Sequence, residues 1–239
     1  MLIETEKNMR AGNAHRIYDW SPLEASLKEW GVLLNVDQRR QVENYLELVA
    51  CQNLKSGLTA DIAPQTLLLR HAADALACVP VIRKIMNTHS DSEISVADLG
   101  SGGGFIGVTL KIALPEIDMT LIEPLKRRFD FLNLTLIALG LRGLHLTRKP
   151  ANPKISSTLF NIVIERALAP FPKATALAET LLKPQGFFIA YQSQFDENNF
   201  NNTASLESKS SPLAIQEKVS YRLPLENKTR YLILSKKEA

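Results

Sequence analysis

The strongest constraint on this chain lies in "SVADLGSGGGFIGVTL", Ser95 to Leu110, where Gly100, Gly102, Gly103, Gly104 and Gly107 sit between two apolar runs. Glycine this dense weakens strand and helix interiors alike, because it loses the most backbone freedom on ordering and offers no side chain to pack. The run is therefore a turn, shaped for close approach of the backbone to another molecule. Its flanks fix the setting. "SVADL" is a short apolar strand run and "FIGVTLKIAL" has helical period. Glycines joining a strand to a helix mark the place where an open α/β sheet takes its ligand.

The same alternation continues downstream. "DMTLIE" reads as strand, "KRRFDFLNLTLIALGL" as helix, "LHLTRK" as strand, "LFNIVIER" as strand, "KATALAETLLK" as helix and "GFFIAYQ" as strand. Near-continuous apolar strands between helices predict a parallel sheet covered on both faces. "VSYRLPL" and "TRYLILSKK" add two strands, the last alternating and expected to be antiparallel. Between them and the fifth strand lies "SQFDENNFNNTASLESKSSP", polar and rich in Asn and Ser, expected as a mobile loop. Ahead of the sheet, "DQRRQVENYLELVA" and "PQTLLLRHAADALACVPVIRKI" carry helical spacing, with a break at Gly57. The expected layout is a loose arm over 1–20, a helical segment over 21–90 and a sheet domain over 91–239.

Composition narrows the class. Among 239 residues, 45% are apolar and 22% charged, enough for a sizeable core and too little charge for extended disorder. A net charge of +3 is too small to imply nucleic acid by itself. The N-terminal "MLIETEKNMR" lacks the apolar core of a secretory signal, and no run approaches the length of a membrane span. Cys51 and Cys78 both fall in helical patterns and are expected as buried thiols of a reducing, cytoplasmic compartment. The four histidines show no metal-ligand spacing with them.

What the glycine turn holds is the next question. Gly102, Gly104 and Gly107 match the dinucleotide spacing, a weak signal alone, and no Lys-Ser/Thr follows to make a P-loop. Asp98, two residues before Gly100, argues against a pyrophosphate, which its carboxylate would repel. A cationic ligand suits it. S-adenosylmethionine carries a sulfonium and an ammonium and no phosphate. The competing structural reading is that Asp98 caps the turn through its own backbone. Glu123 ends the second strand and is placed to accept from both hydroxyls of a ribose. Its alternative reading is a surface acid at a strand end, or a partner of Lys126 or Arg127.

These residues resemble the ribosomal RNA small-subunit methyltransferase G family, also called glucose-inhibited division protein B. The likeness spans about Ser21 to Tyr191 and rests on "LTADIAPQTLLLRHAADALA", "ADLGSGGGFIGVTLKIALPEIDMTLIEPLKRRFDFL", "FNIVIERALAPFP" and "LLKPQGFFIAY". It implies a Rossmann-like class I S-adenosylmethionine-dependent methyltransferase fold: a mainly parallel sheet, an antiparallel last strand and an N-terminal helical segment. It implies transfer of a methyl group to N7 of a guanosine in 16S ribosomal RNA. The expected partner is small-subunit RNA or the 30S particle, with no membrane partner, and the expected state is a monomer. Carried over residue by residue, the resemblance implies Gly100, Phe105, Glu123, Ala151, Asn152 and Arg166 as cofactor contacts, which join Asp98, Gly102 and Gly104 from the turn itself. The chain departs from the family at several positions. Asn152 stands where Glu is usual, Ile106 where Pro is usual, and Gln192-Ser193 where Lys-Gly is usual. Gly57 replaces an Asn, and Glu165 stands where Ser is common.

Guanine N7 has a free lone pair and no proton to lose, so no general base is expected; the work is alignment at near-attack distance. Arg166 is the expected catalytic residue, its fork holding guanine O6 or a phosphate. Its alternative is a structural pair with Glu165, Asp98 or Glu123. His71 and Asp74, one helical turn apart, either face the pocket or pack between helices. Lys126, Arg127, Arg128, Arg148, Lys149 and Lys173 are the candidate RNA-facing cations. Remaining alternatives are a methyltransferase of this fold acting on a small molecule or protein, a non-catalytic cofactor-binding module and, more remotely, an NAD dehydrogenase.

Overall fold

The computed structural model describes residues 16–88, 93–148, 159–193 and 213–238. The helical segment opens with α1 (Ser21–Glu29) and α2 (Val36–Ser56). Asn35 and Gln38 form a reciprocal capping box at the start of α2, and Gly57, at φ 62°, ends it in the left-handed conformation. A single turn, α3 (Pro64–Thr66), passes through a π-helical turn (Leu67–Ala72) into α4 (Ala73–Leu76), and α5 (Val79–Met86) follows. The sheet region then runs β1 (Ser95–Leu99), α6 (Gly107–Ala113), β2 (Asp118–Ile122), α7 (Lys126–Leu139), β3 (Leu144–Thr147), β4 (Phe160–Arg166), α8 (Phe171–Glu179), β5 (Leu182–Gln192), β6 (Leu213–Arg222) and β7 (Thr229–Lys237). The strand order is β3-β2-β1-β4-β5-β7-β6. β1 to β5 pair in parallel, and β7 runs antiparallel to both β5 and β6, as the alternation in "TRYLILSKK" predicts.

Strand alternation divides the core in two. Val96, Met119, Leu121, Ile162, Ile164 and Ile189 join the helical segment in one continuous apolar cluster. Ala97, Leu99, Val163, Phe188 and Ala190 face the other way and pack with Ala174 and Ala178 of α8. The helical segment is thus one lid of the sheet. Residues 16–20, expected within a loose arm, contribute Tyr18 and Trp20 to this core; Trp20 Nε1 donates to Glu43 Oε1 at 2.7 Å. Cys78 is buried as expected, but Cys51 is exposed. The buried side of α2 is filled by larger groups such as Tyr45, Leu46 and Val49, which leaves Cys51 facing outward.

Several expected boundaries move, among them that of β6, which starts at Leu213 and not at the expected Val219. The first helix after the glycines starts at Gly107, not Phe105, because the turn extends through Ile106. β5 starts at Leu182 and absorbs residues expected in α8. The expected mobile loop falls almost wholly outside the described residues.

Candidate functional site

β1 lies between β2 and β4, and the chain fills one side of the sheet before crossing to the other. The carboxyl ends of β1 and β4 therefore flank a topological switch point, where neighbouring connections diverge and leave a crevice. A cavity of about 390 Å³ opens there, lined by Asp98, Gly100, Gly102, Phe105, Glu123 and Arg166 among others.

The glycines do different jobs. At Gly102, φ is +59° and an added Cβ would meet nothing closer than the Gly100 carbonyl oxygen at 3.9 Å. That direction is open, so a side chain there would take up cavity space. At Gly107 an added Cβ would lie 2.3 Å from Leu121 Cδ2 and 2.8 Å from Asp98 Oδ2. Its bareness lets α6 press on the sheet. Gly104, expected to touch cofactor, is instead backed by Leu132 and Val108 and does not line the cavity.

The two acids are built into the fold. Asp98 is buried, and its Oδ2 accepts from the Gly107 N–H at 3.0 Å, so the capping reading has support alongside its place in the cavity wall. Burial pushes its carboxyl up to about 6, against the pull of the Gly107 N–H and of Arg166. Glu123 accepts from Gly102 N–H and Leu125 N–H, each at 2.8 Å. It latches the glycine turn to the end of β2 and pairs with neither Lys126 nor Arg127, which bind Asp130 and the Lys55 carbonyl.

A second cavity, of about 550 Å³, adjoins the first; both are lined by Arg166 and Ala167. Arg166 donates from Nη1 to Asp74 Oδ2 at 2.9 Å and stands 5.8 Å from the centre of the Phe105 ring. Its acidic partner is none of the three expected from the sequence. Asp74 is also held by Tyr221 OH at 2.5 Å, with Arg230 Nη1 at 3.8 Å, so one buried carboxylate ties α4 to β4, β6 and β7. Ala167 has φ 57°, a strained value for a residue with a side chain, at the junction of the two cavities.

His71 sits on the π-helical turn, a feature that concentrates at functional sites. Its ring stacks on Phe105, centroids 4.1 Å apart at 17°, and Nε2 lies 3.1 Å from Thr59 Oγ1. Burial first, then Arg166, lowers its pKa to about 4, so the ring is neutral at physiological pH. His71 and Asp74 both line the second cavity. The helical segment adds contacts the sequence did not signal: Tyr45 OH donates to the Gly103 carbonyl at 2.7 Å, and Leu58 lines the smaller cavity.

The candidate RNA-facing cations separate. Arg128 lines the smaller cavity. Arg127 fastens α7 to the end of α2 through the Lys55 carbonyl, and Arg148 donates to the Pro124 carbonyl at 3.2 Å. Lys173 is exposed near the start of α8. Gln192 and Ser193 line the larger cavity. Ala151, Asn152 and Lys149 lie outside the described residues.

The match to known proteins follows this geometry. The family model described as rRNA small subunit methyltransferase G matches residues 38–223. A ribosomal RNA small subunit methyltransferase G from Streptococcus agalactiae is 31% identical over 217 residues, covering 89% of each chain. One from Streptococcus thermophilus is 36% identical over 169 residues, covering 69% of each. A solved Listeria monocytogenes structure, described as a class I S-adenosylmethionine-dependent methyltransferase, superposes with a TM-score of 0.59 at 12% identity, over 86% of this chain and 70% of that one. At that identity the likeness is one of fold. Sequence and fold agree: the chain belongs to the rRNA small subunit methyltransferase G family.

Proposed function

We propose that the protein transfers a methyl group from S-adenosylmethionine to N7 of a guanosine in small-subunit ribosomal RNA. Relatives named as small-subunit ribosomal RNA methyltransferases support the reaction class. The guanine N7 acceptor is an inference from family resemblance and from the chemistry of the site. The observation that carries the reading is the pair of adjoining cavities, the smaller walled by glycines, Phe105 and carboxylates and the larger by His71, Asp74 and Tyr221, with Arg166 at their junction.

The smaller cavity fits the cofactor by its donor set. Asp98 and Glu123 put two carboxylates against it. Arg128 and Arg166 line the same cavity, so it offers both signs of charge, and the two buried carboxylates suit the positively charged part of the ligand. The open side of Gly102 leaves room for close backbone approach. Asp98, Gly100, Gly102, Phe105 and Glu123 are the described residues that would hold the cofactor, with Asp98 toward a cationic group and Glu123 toward a ribose. When bound, S-adenosylmethionine supplies an electrophilic methyl group.

The chain's own residues then have to align and exclude. Arg166, pinned by Asp74, presents a guanidinium of fixed orientation to the junction. Its remaining N–H groups suit guanine O6 or a phosphate oxygen. The neutral His71 ring backs Phe105 without adding charge beside the reacting centre. No residue is required to take a proton from N7. Incubation with labelled S-adenosylmethionine and unmethylated small-subunit particles tests the reading. Label recovered as 7-methylguanosine is expected; label on another nucleoside, or none, would refute it.

A further inference from the structure

Glu165 has no task in the alignment just described, yet it is fully buried and lines the larger cavity one residue before Arg166. Its Oε2 accepts from the Leu168 N–H at 3.1 Å. Its Oε1 has no hydrogen-bond partner among the described residues. No Lys or Arg among them pairs with it; the adjacent Arg166 turns to Asp74. A buried carboxylate oxygen left unpaired is costly, so such atoms call for a functional explanation. Burial drives the Glu165 carboxyl up to about 7, with the nearby Asp98 adding to the rise and the Leu168 N–H opposing it.

Arg70, Arg166 and Arg230 line that cavity with three acids, and the acids other than Glu165 are engaged: Asp74 serves Tyr221 and Arg166, and Asp61 accepts from the Ala63 N–H and the Thr66 hydroxyl. Among the described residues, Glu165 is the carboxylate of that lining with an oxygen to spare. Among the four RNA bases, guanine alone presents two adjacent donors on its Watson–Crick edge, N1–H and the exocyclic amine. A carboxylate complements that pair. N7 lies on the other side of the ring system, on the Hoogsteen edge, with O6 between the two edges. A guanine held by Glu165 on one edge would therefore turn N7 away from it.

We propose that Glu165 selects the acceptor base, accepting from guanine N1–H and the amine through Oε1 and the free lone pair of Oε2. The inference rests on guanine N7 being the acceptor. Adenine and cytosine place an acceptor where this site needs a donor, and uracil offers one donor only.

Glu165→Gln is the first test, because it keeps shape and volume while removing one acceptor. Transfer to small-subunit particles should fall at least tenfold, with S-adenosylmethionine Kd within threefold of the parent. Tm at pH 8 should hold or rise, since the variant removes the cost of an ionised buried acid. Glu165→Ser, a smaller side chain, should behave alike in transfer and cofactor affinity. Unchanged transfer in both variants overturns the proposal. Parallel losses of Tm and cofactor affinity in both overturn it too, as they show a structural residue. The second test places inosine, which lacks the amine, at the mapped acceptor position in reconstituted particles. The parent should lose about tenfold on inosine and Glu165→Gln should lose the discrimination; equal discrimination in both proteins refutes base selection. Nucleoside analysis of the parent's product separates the two levels. A product other than 7-methylguanosine removes the underlying reading, whereas 7-methylguanosine with a fully active Glu165→Gln removes this inference alone.

Discussion

Arg166→Ala is the most informative single change, because the side chain stands in both cavities and in a buried ion pair. Its side chain is 24% exposed and that of Asp74 only 3%. Stripping a buried acid of its only partner costs about 3–5 kcal/mol. Asp74 would keep Tyr221 OH at 2.5 Å and Arg230 at 3.8 Å, so the loss is nearer one charged hydrogen bond. That is about 1.5–3 kcal/mol, which for a chain of this size lowers Tm by roughly 3–12 °C. The effect on chemistry should be separate. If Arg166 orients the acceptor, losing one charged contact made in the transition state lowers transfer about ten- to a hundredfold. Cofactor affinity should fall only moderately, because Asp98, Glu123 and the glycine turn remain. Melting curves, calorimetry with S-adenosylhomocysteine and methyl transfer to small-subunit particles read the three quantities. Normal transfer would remove Arg166 from the site. An unchanged Tm would show that the Asp74 pair contributes nothing to stability, and equal losses of affinity and transfer would make Arg166 a cofactor contact.

Other expectations follow from single contacts. Gly102→Val fills open cavity space and places a branched residue at φ +59°, so S-adenosylmethionine Kd should rise at least tenfold while the strain costs about 1–2 kcal/mol; an unchanged Kd would show that the turn is not the site. Gly107→Ala drives a methyl into Leu121 and Asp98 and should lower stability by about 1–3 kcal/mol by chemical denaturation; a neutral result would contradict the close packing of α6 on the sheet. Asp98, raised to about 6, must be ionised to favour a cationic ligand. Cofactor affinity should therefore strengthen as pH rises from 5 to 7, with a proton released on binding, and Asp98→Asn should flatten that profile; a steep profile in the variant would assign the proton elsewhere.

Sequence periodicity disclosed the sheet because each strand is a short apolar run between turns, and the glycine turn disclosed the crevice because its spacing follows from backbone chemistry. Asp98 and Glu123 were legible for the same reason, as acids at strand ends. What bound them was not: each is held by backbone N–H groups, and a backbone donor leaves no mark in residue type. Asp74 was visible only as a neighbour of His71. Its partners Arg166 and Tyr221 lie 92 and 147 residues away, and pairing over such distances depends on the sheet being assembled. The π-helical turn that carries His71 against Phe105 also escaped, since "LLLRHA" is an ordinary helical string. Arg127 was legible as a cation opening a helix; its bond to a carbonyl of α2 was not, since that carbonyl lies 72 residues away. Glu165 stood out as a departure from the family and as a possible partner of Arg166, and its unpaired oxygen needed the structure to be seen.

Mass-spectrometric nucleoside analysis of small-subunit RNA is the most direct test of the central claim. Particles lacking this modification are incubated with the protein and S-adenosylmethionine, and the RNA is then digested. The account predicts one new 7-methylguanosine per particle, absent without cofactor and reduced at least tenfold with Arg166→Ala. A methyl group on another atom or base, or an unmodified RNA in the presence of bound cofactor, would contradict it.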